Sequence, residues 1–348
     1  MKFIKQVSAS AVLIAFVAVA CNKDSVLNQA ELKSPDQTSA SLVRKCSSHE
    51  YNEALMQADP TFRENQRALE EFTARYVAEN RVATERTVTT IPVVVHVIYK
   101  TGTQNISDAQ VLSQIAVLNA DFRRLNADKT KTPAAFAGVA ADPEVTFCLA
   151  KQDPNGKAST GIERKLTTTT SFLDNDYVKY TSKGGLNAWN SAKYLNLWVC
   201  NLGGGLLGYA QFPGGAAATD GVVILYSAFG NTGTVAAPYN TGRTATHEVG
   251  HWLNLRHIWG DDLGACTGSD LVTDTPNQAS ENYGCPTYPH VTCSNGTAGD
   301  MFMNYMDYTN DACMNLFTTG QKTRMKALFT AGGLRAAITT SVGCNQGN

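Results

Sequence analysis

Apolar residues gather into dense short runs at 90–99 (TIPVVVHVIY), 144–150 (EVTFCLA), 194–200 (YLNLWVC) and 221–227 (GVVILYS). Such runs predict buried strands. His96 sits inside the first of them with apolar neighbours on alternate positions, which predicts a hydrogen-bonded core histidine rather than a ligand. The run LLGYAQFP at 206–213 predicts an edge strand, whose unpaired backbone groups could hold an extended peptide by adding it to the sheet. Helical periodicity appears in SDAQVLSQIAVLNADF (107–122), which opens on Ser107 as a capping residue. It appears again at 50–80, where Leu69, Phe72 and Tyr76 share one face and Pro60 suits a first turn. A short helix is expected at about 318–331, and no internal repeat is present. The pattern predicts an α/β fold: a sheet-and-helix upper part, followed after residue 257 by a lower part poor in periodic segments.

Composition narrows the class. The 348 residues can bury a substantial core, and 43% hydrophobic residues is ordinary for a globular protein. A net charge of −1, with no basic stripe, argues against nucleic acid or an anionic membrane surface as partner. The first twenty residues carry Lys2 and Lys5 and then the apolar run AVLIAFVAVA, the shape of a signal peptide and too short to span a bilayer. Cys21 follows in a context resembling a bacterial lipobox, which predicts a lipid anchor to the outer membrane, with ordinary cleavage after Ala20 as the alternative. Residues 22–45 are polar and read as a tether, and 50–80 as a pro-region helix outside the catalytic core.

Half of the chain's six histidines lie in one stretch, HEVGHWLNLRH, from His247 to His257. Residues four apart on a helix share a face, so His247 and His251 can hold one ion together. Glu248 is turned about 100° away, flanking the ion where a general base should stand. His257 supplies a third ligand if the helix stops near Asn254 and the chain bends back; asparagine tolerates the left-handed backbone that this bend requires. Downstream, FMNYMDYTNDAC at 302–313 places Met306 and Tyr308 where a methionine turn and its tyrosine would be.

With TIPVVVHVIY, HEVGHWLNLRHIWGD, DTPNQ and NYMDY, the chain resembles the pappalysin branch of the metzincin zinc metallopeptidases over about residues 44–320. The resemblance implies a metzincin-like catalytic domain, with a mixed twisted sheet above and a loop-rich, disulfide-stapled subdomain below. It implies a monomeric, exported zinc endopeptidase acting on protein or peptide substrates. Zinc would sit on His247, His251 and His257, Glu248 would serve as base, Tyr308 would stabilise the oxyanion and Met306 would floor the site. The alternative is a surface binding protein or adhesin that keeps the fold without activity; the intact Glu248 argues against it.

Cys266, Cys285, Cys293 and Cys313 fall within 48 residues without a CxxC pair, which favours disulfides over a second zinc and leaves three pairings open. The resemblance implies Cys266 with Cys293 and Cys285 with Cys313. For Cys148 and Cys200, on neighbouring predicted strands, two readings stay open, a mutual disulfide or free thiols, and Cys344 has no evident partner. Asp270, Asp274 and Thr275 cluster oxygen donors suited to calcium, which the resemblance also implies; Asp261 and Asp262 could be calcium ligands or turn carboxylates. The resemblance also implies that Asp311, just past the methionine turn, pairs with Arg or Lys on the primed side of the scissile bond. Cys46, in RKCSSHE, resembles a pro-region cysteine that would ligate zinc and hold the enzyme latent, against the alternative of a disulfide to Cys148 or Cys344. Cleavage before Arg81 or Arg86 would then start autocatalytic activation.

Overall fold

The computed structural model describes residues 43–79 and 87–347. The expected signal peptide, Cys21, the expected tether as far as residue 42, and both Arg81 and Arg86 lie outside the described residues. In chain order the elements are α1 (Ser48–Ala58), α2 (Pro60–Glu79), β1 (Thr89–Tyr99), α3 (Asp108–Asp121), α4 (Ala134–Ala137), β2 (Ala140–Ala141), β3 (Val145–Leu149) and β4 (Ile162–Leu166). They continue with β5 (Leu195–Cys200), β6 (Gly208–Ala210), β7 (Val222–Leu225), α5 (Arg243–Trp252), β8 (Phe317–Thr318) and α6 (Thr319–Ala327).

The main sheet runs β3-β1-β5-β7-β6, with β4 pairing β1 beyond the end of β3. All pairs are parallel except β6 with β7, so β6 is an antiparallel edge. Buried on both faces, β1, β5 and β7 read as continuous apolar runs for that reason. β4, with the sequence IERKL, is half-buried, and its polar residues gave no strand pattern. His96 is a core histidine as expected: it bridges Glu163 at 2.8 Å and Asn196 at 3.0 Å and stacks on Trp198.

Alternation along the strands sorts the core into two layers. Leu197, Val199, Ala210, Val222 and Ile224 face α3 and α5, packing with Leu118, Val249 and Trp252. On the opposite face, Ile98, Trp198, Tyr209 and Val223 pack with Tyr51 of α1. Ser107 caps α3 by accepting from the Gln110 amide, and Pro60 opens α2 where its missing N–H costs nothing. The buried face of α2 is Phe62, Gln66, Leu69 and Thr73; Phe72 and Tyr76 are only half-buried, because the helix is turned so that Leu69 lies at the centre of its contact.

Cysteine pairing follows the sheet. β3 and β5 flank β1 on opposite sides, about 10 Å apart by strand spacing, beyond the reach of a disulfide. Cys148 therefore bonds Cys344, with Cα atoms 6.0 Å apart, and Cys200 stays a buried thiol. Cys266–Cys293 and Cys285–Cys313 pair as the resemblance implied. Cys46 is free and buried, so the disulfide alternative for it falls.

Candidate active site

α5 begins after Gly242, at φ 82°, and stops before Asn254, at φ 67°. Asn254 adopts the left-handed backbone that lets the chain turn back, and His257 returns beside His251. The three imidazoles are fixed from behind. The Nδ1 of His247 donates to the Tyr305 carbonyl, that of His251 to the Leu255 carbonyl, and that of His257 to Asp261 Oδ1, at 2.8, 2.8 and 2.7 Å. Since each acceptor carries no proton, every Nε2 is left with a lone pair. These lone pairs converge: His251 Nε2 lies 3.1 Å from both other Nε2 atoms. Burial, then the neighbouring imidazoles, holds His247 and His251 well below the ordinary imidazole range, so a proton is disfavoured between them. Cys46 completes the group, with all four ligand atoms within 4.8 Å of one another. A buried donor set of three imidazole nitrogens and one thiol fits a zinc-like ion.

Glu248 lies beside this cluster, where the helical offset from His247 puts it. Burial pushes its carboxyl up to about 7. Ser48 Oγ donates to its Oε2 at 2.8 Å and the Cys46 thiol approaches the same oxygen at 3.3 Å. From the other side of the cleft, the Tyr308 hydroxyl donates to the Cys46 carbonyl at 3.0 Å and stands 3.2 Å from His257 Nε2. Met306 is fully buried beneath the helix, and a Cβ at Gly250 would come 2.4 Å from its sulfur. Asp311 is also buried. It accepts from the Thr241 and Arg243 amides at the start of α5, and Arg44 Nη2 reaches its Oδ1 at 2.6 Å.

The profile of the Peptidase_M43 family, described as pregnancy-associated plasma protein-A, matches residues 180–330. An extracellular metalloprotease of Pyricularia oryzae is 33% identical over 265 residues, covering 74% of this chain and 80% of that protein. Among solved structures, a promirolysin mutant of Tannerella forsythia is 51% identical at a TM-score of 0.79, covering 85% of this chain and 97% of that one. Mature mirolysin of the same organism, in complex with a cleaved peptide, is 56% identical at a TM-score of 0.72, covering 73% and 96%. The chain belongs to the pappalysin family. It is a metalloprotease with the metzincin fold, and the relatives named above include an extracellular enzyme.

Against that identity, the remaining sequence expectations divide. Asp270 and Thr275 come together: Thr275 Oγ1 lies 2.9 Å from both Asp270 oxygens and 3.1 Å from the Val272 carbonyl. Asp274 turns away, accepting from Thr318 Oγ1 and the Gly320 amide at the start of α6. Asp261 orients His257, while Asp262 gathers the amides of Gly264, Thr267 and Gly268. Sequence reasoning missed Ser48 on Glu248, Arg44 on Asp311 and the steric need for Gly250. The first two were legible only as neighbours of Cys46 in RKCSSHE; their partners are 200 and 267 residues away.

Proposed function

We propose that this pappalysin is an exported zinc endopeptidase held latent by residues 44–48 of its own pro-region. His247, His251 and His257 would hold the zinc through Nε2. When bound, zinc supplies Lewis acidity, polarising the scissile carbonyl and acidifying the attacking water. Glu248 takes a proton from that water and returns it to the leaving amine; a carboxyl near neutrality suits both transfers. Tyr308 donates to the carbonyl oxygen as it gains charge, the same hydroxyl that now holds the Cys46 carbonyl. Met306 packs under the histidines without touching substrate.

The observation that carries this reading is the triple occupation of the cleft by one short segment. The Cys46 thiol fills the fourth position of the cluster, its carbonyl takes Tyr308, and Arg44 takes Asp311. Arg44 supports an Asp311 pocket that prefers Arg or Lys after the cut. On this reading residues 1–20 are the signal peptide, 21–80 the tether and pro-region, 81–257 the upper and 258–348 the lower catalytic subdomain. Cys21 anchors the precursor by a lipid, and cutting before Arg81 or Arg86 by the enzyme itself releases Cys46. Asp270 and Thr275 form a calcium site; burial pushes the Asp270 carboxyl up to about 7, and calcium would keep it ionised.

The test is casein hydrolysis with and without chelator, comparing wild type, Glu248→Ala and Cys46→Ala. Chelator and Glu248→Ala should each abolish hydrolysis, Glu248→Ala should leave the precursor uncut, and Cys46→Ala should be active from the outset. A silent, stable Cys46→Ala precursor would refute the latency mechanism alone; hydrolysis surviving chelator would refute the metallopeptidase mechanism.

A further inference from the structure

The face of the sheet opposite α5 carries a second polar group that the catalytic reading does not use. Lys179 is fully buried there among three aromatic rings, its Nζ 5.2 Å from the Tyr51 centroid, 4.9 Å from that of Tyr209 and 5.5 Å from that of Trp198. It pairs with Asp176 Oδ1 at 2.8 Å and donates to the Thr219 carbonyl at 2.7 Å. Asp176 is held at φ 63°, a strained backbone for a residue with a side chain, and that geometry aims its carboxylate into the group. Tyr51 is the only member from the pro-region. Its ring packs 5.1 Å from Tyr209, and its hydroxyl donates to Asp176 Oδ2 at 2.7 Å.

We infer that the pocket filled by Tyr51 in the precursor becomes, once α1 leaves, a substrate subsite for a tyrosine side chain on the non-primed side of the cut. The inference rests on the release of the pro-region proposed above. When Tyr51 departs, Lys179, Asp176, Tyr209 and Trp198 remain, since all four belong to the catalytic part of the chain. What departs is a phenol, leaving a ring-shaped space with a cation on one wall and a carboxylate oxygen lacking its donor. A tyrosine restores all three contacts; phenylalanine restores the ring but leaves Asp176 Oδ2 unmatched, and alanine restores none.

Position along the substrate follows from the sheet. Tyr209 is the middle residue of β6, the edge along which a peptide would lie, and it points to the face away from α5. Asp311 sits at the start of α5, so the residue after the cut faces the α5 side. Extended peptides alternate faces, which directs the first and third residues before the cut toward Tyr209.

The experiment uses the full-length precursor after it has been activated, and fluorogenic peptides with arginine after the cut. Tyrosine, O-methyltyrosine, phenylalanine or alanine is placed at each of the first three positions before it. We expect tyrosine at the first or third position to raise kcat/KM about a hundredfold over alanine and about tenfold over phenylalanine, the scale of one buried ring and one hydrogen bond to a charged group. O-methyltyrosine should fall to the phenylalanine value or below. In Asp176→Asn the tyrosine-to-phenylalanine ratio, measured within the variant, should approach one. If alanine peptides are cut but tyrosine gives no advantage at either position, the subsite is refuted while the peptidase stands. If no peptide is cut at all, the failure lies with the proposed function.

Discussion

The chain before His257 and the chain after it reach order by different means. The first part closes a sheet whose central strands are buried on both faces, with α3 and α5 packed on apolar side chains. In the second, from Ile258 to Leu316, one 3₁₀ turn at Asp311–Cys313 is the only helix or strand among the described residues. Two disulfides tie that segment to itself. Carboxylates do the work that a backbone ladder does elsewhere. Asp307 collects Gln278, Asn282 and the Tyr308 amide, and Asp300 collects Thr292, Asn295 and Asn282. A loop without a ladder must still satisfy its backbone and polar groups, and an acceptor-only side chain can serve several donors at once. The candidate active site straddles the two parts: α5 carries His247, Glu248 and His251, His257 stands at the boundary, and the looped part carries Tyr308 and Asp311.

The sharpest way to test this division is to remove one chemical group from each side and read activity. Glu248→Ala should lower kcat/KM by at least about 10²–10⁴-fold if the carboxylate is the general base, a loss far larger than any change in the folded fraction at assay temperature. Tyr308→Phe should cost about 10²-fold, mostly in kcat, if the hydroxyl acts on the developing oxyanion. An unchanged kcat would show that the looped part contributes only support.

Stability should separate the parts in kind. Leu197→Ala in β5 should destabilise by about 2–5 kcal/mol whether or not a reductant is present. Replacing Cys285 and Cys313 together by serine should cost about 2–4 kcal/mol, and reductant should lower wild type further, because it also opens Cys266–Cys293 and Cys148–Cys344. Chemical denaturation under both conditions reads the difference; a reductant-sensitive Leu197→Ala effect would break the comparison.

The smallest effect is electrostatic. Burial raises the Asp270 carboxyl from its ordinary 3.8 to about 7 in the folded chain. The folded state therefore holds this proton more tightly than the unfolded state. The associated stability is complete below pH 4 and is lost as pH rises through 7. In calcium-free buffer the melting temperature of wild type should fall relative to Asp270→Asn across that window. Added calcium should restore wild type and leave the variant unmoved.

The same contrast explains what could be read from the sequence. TIPVVVHVIY and YLNLWVC announced their strands because burial on both faces writes an unbroken apolar run. His247, His251 and His257 announced their cluster because helical spacing and one left-handed residue bring them together within eleven positions. β4 stayed silent, since a half-buried strand with Glu163, Arg164 and Lys165 resembles a loop. The bond from Cys148 to Cys344 was hidden because it depends on which strands lie between candidates, a property of topology rather than spacing. Asp274 read as a calcium ligand for its neighbours in sequence, whereas its partners begin α6 more than forty residues on.

The way the pro-region lies along β6 also bears on solubility. Lys45 accepts from the Leu207 amide, Ser47 donates to the Gly208 carbonyl, and Ser48 Oγ accepts from the Ala210 amide. Asn52 then uses its side-chain amide as a strand would, giving to the Ala210 carbonyl and taking from the Phe212 amide at 2.9 Å each. Open edges of this sort are where one sheet adheres to another and precipitation begins. On the proposed reading, the intact precursor covers that edge with its own chain. Release of the pro-region would then leave an adhesive seam that a passing peptide could cover.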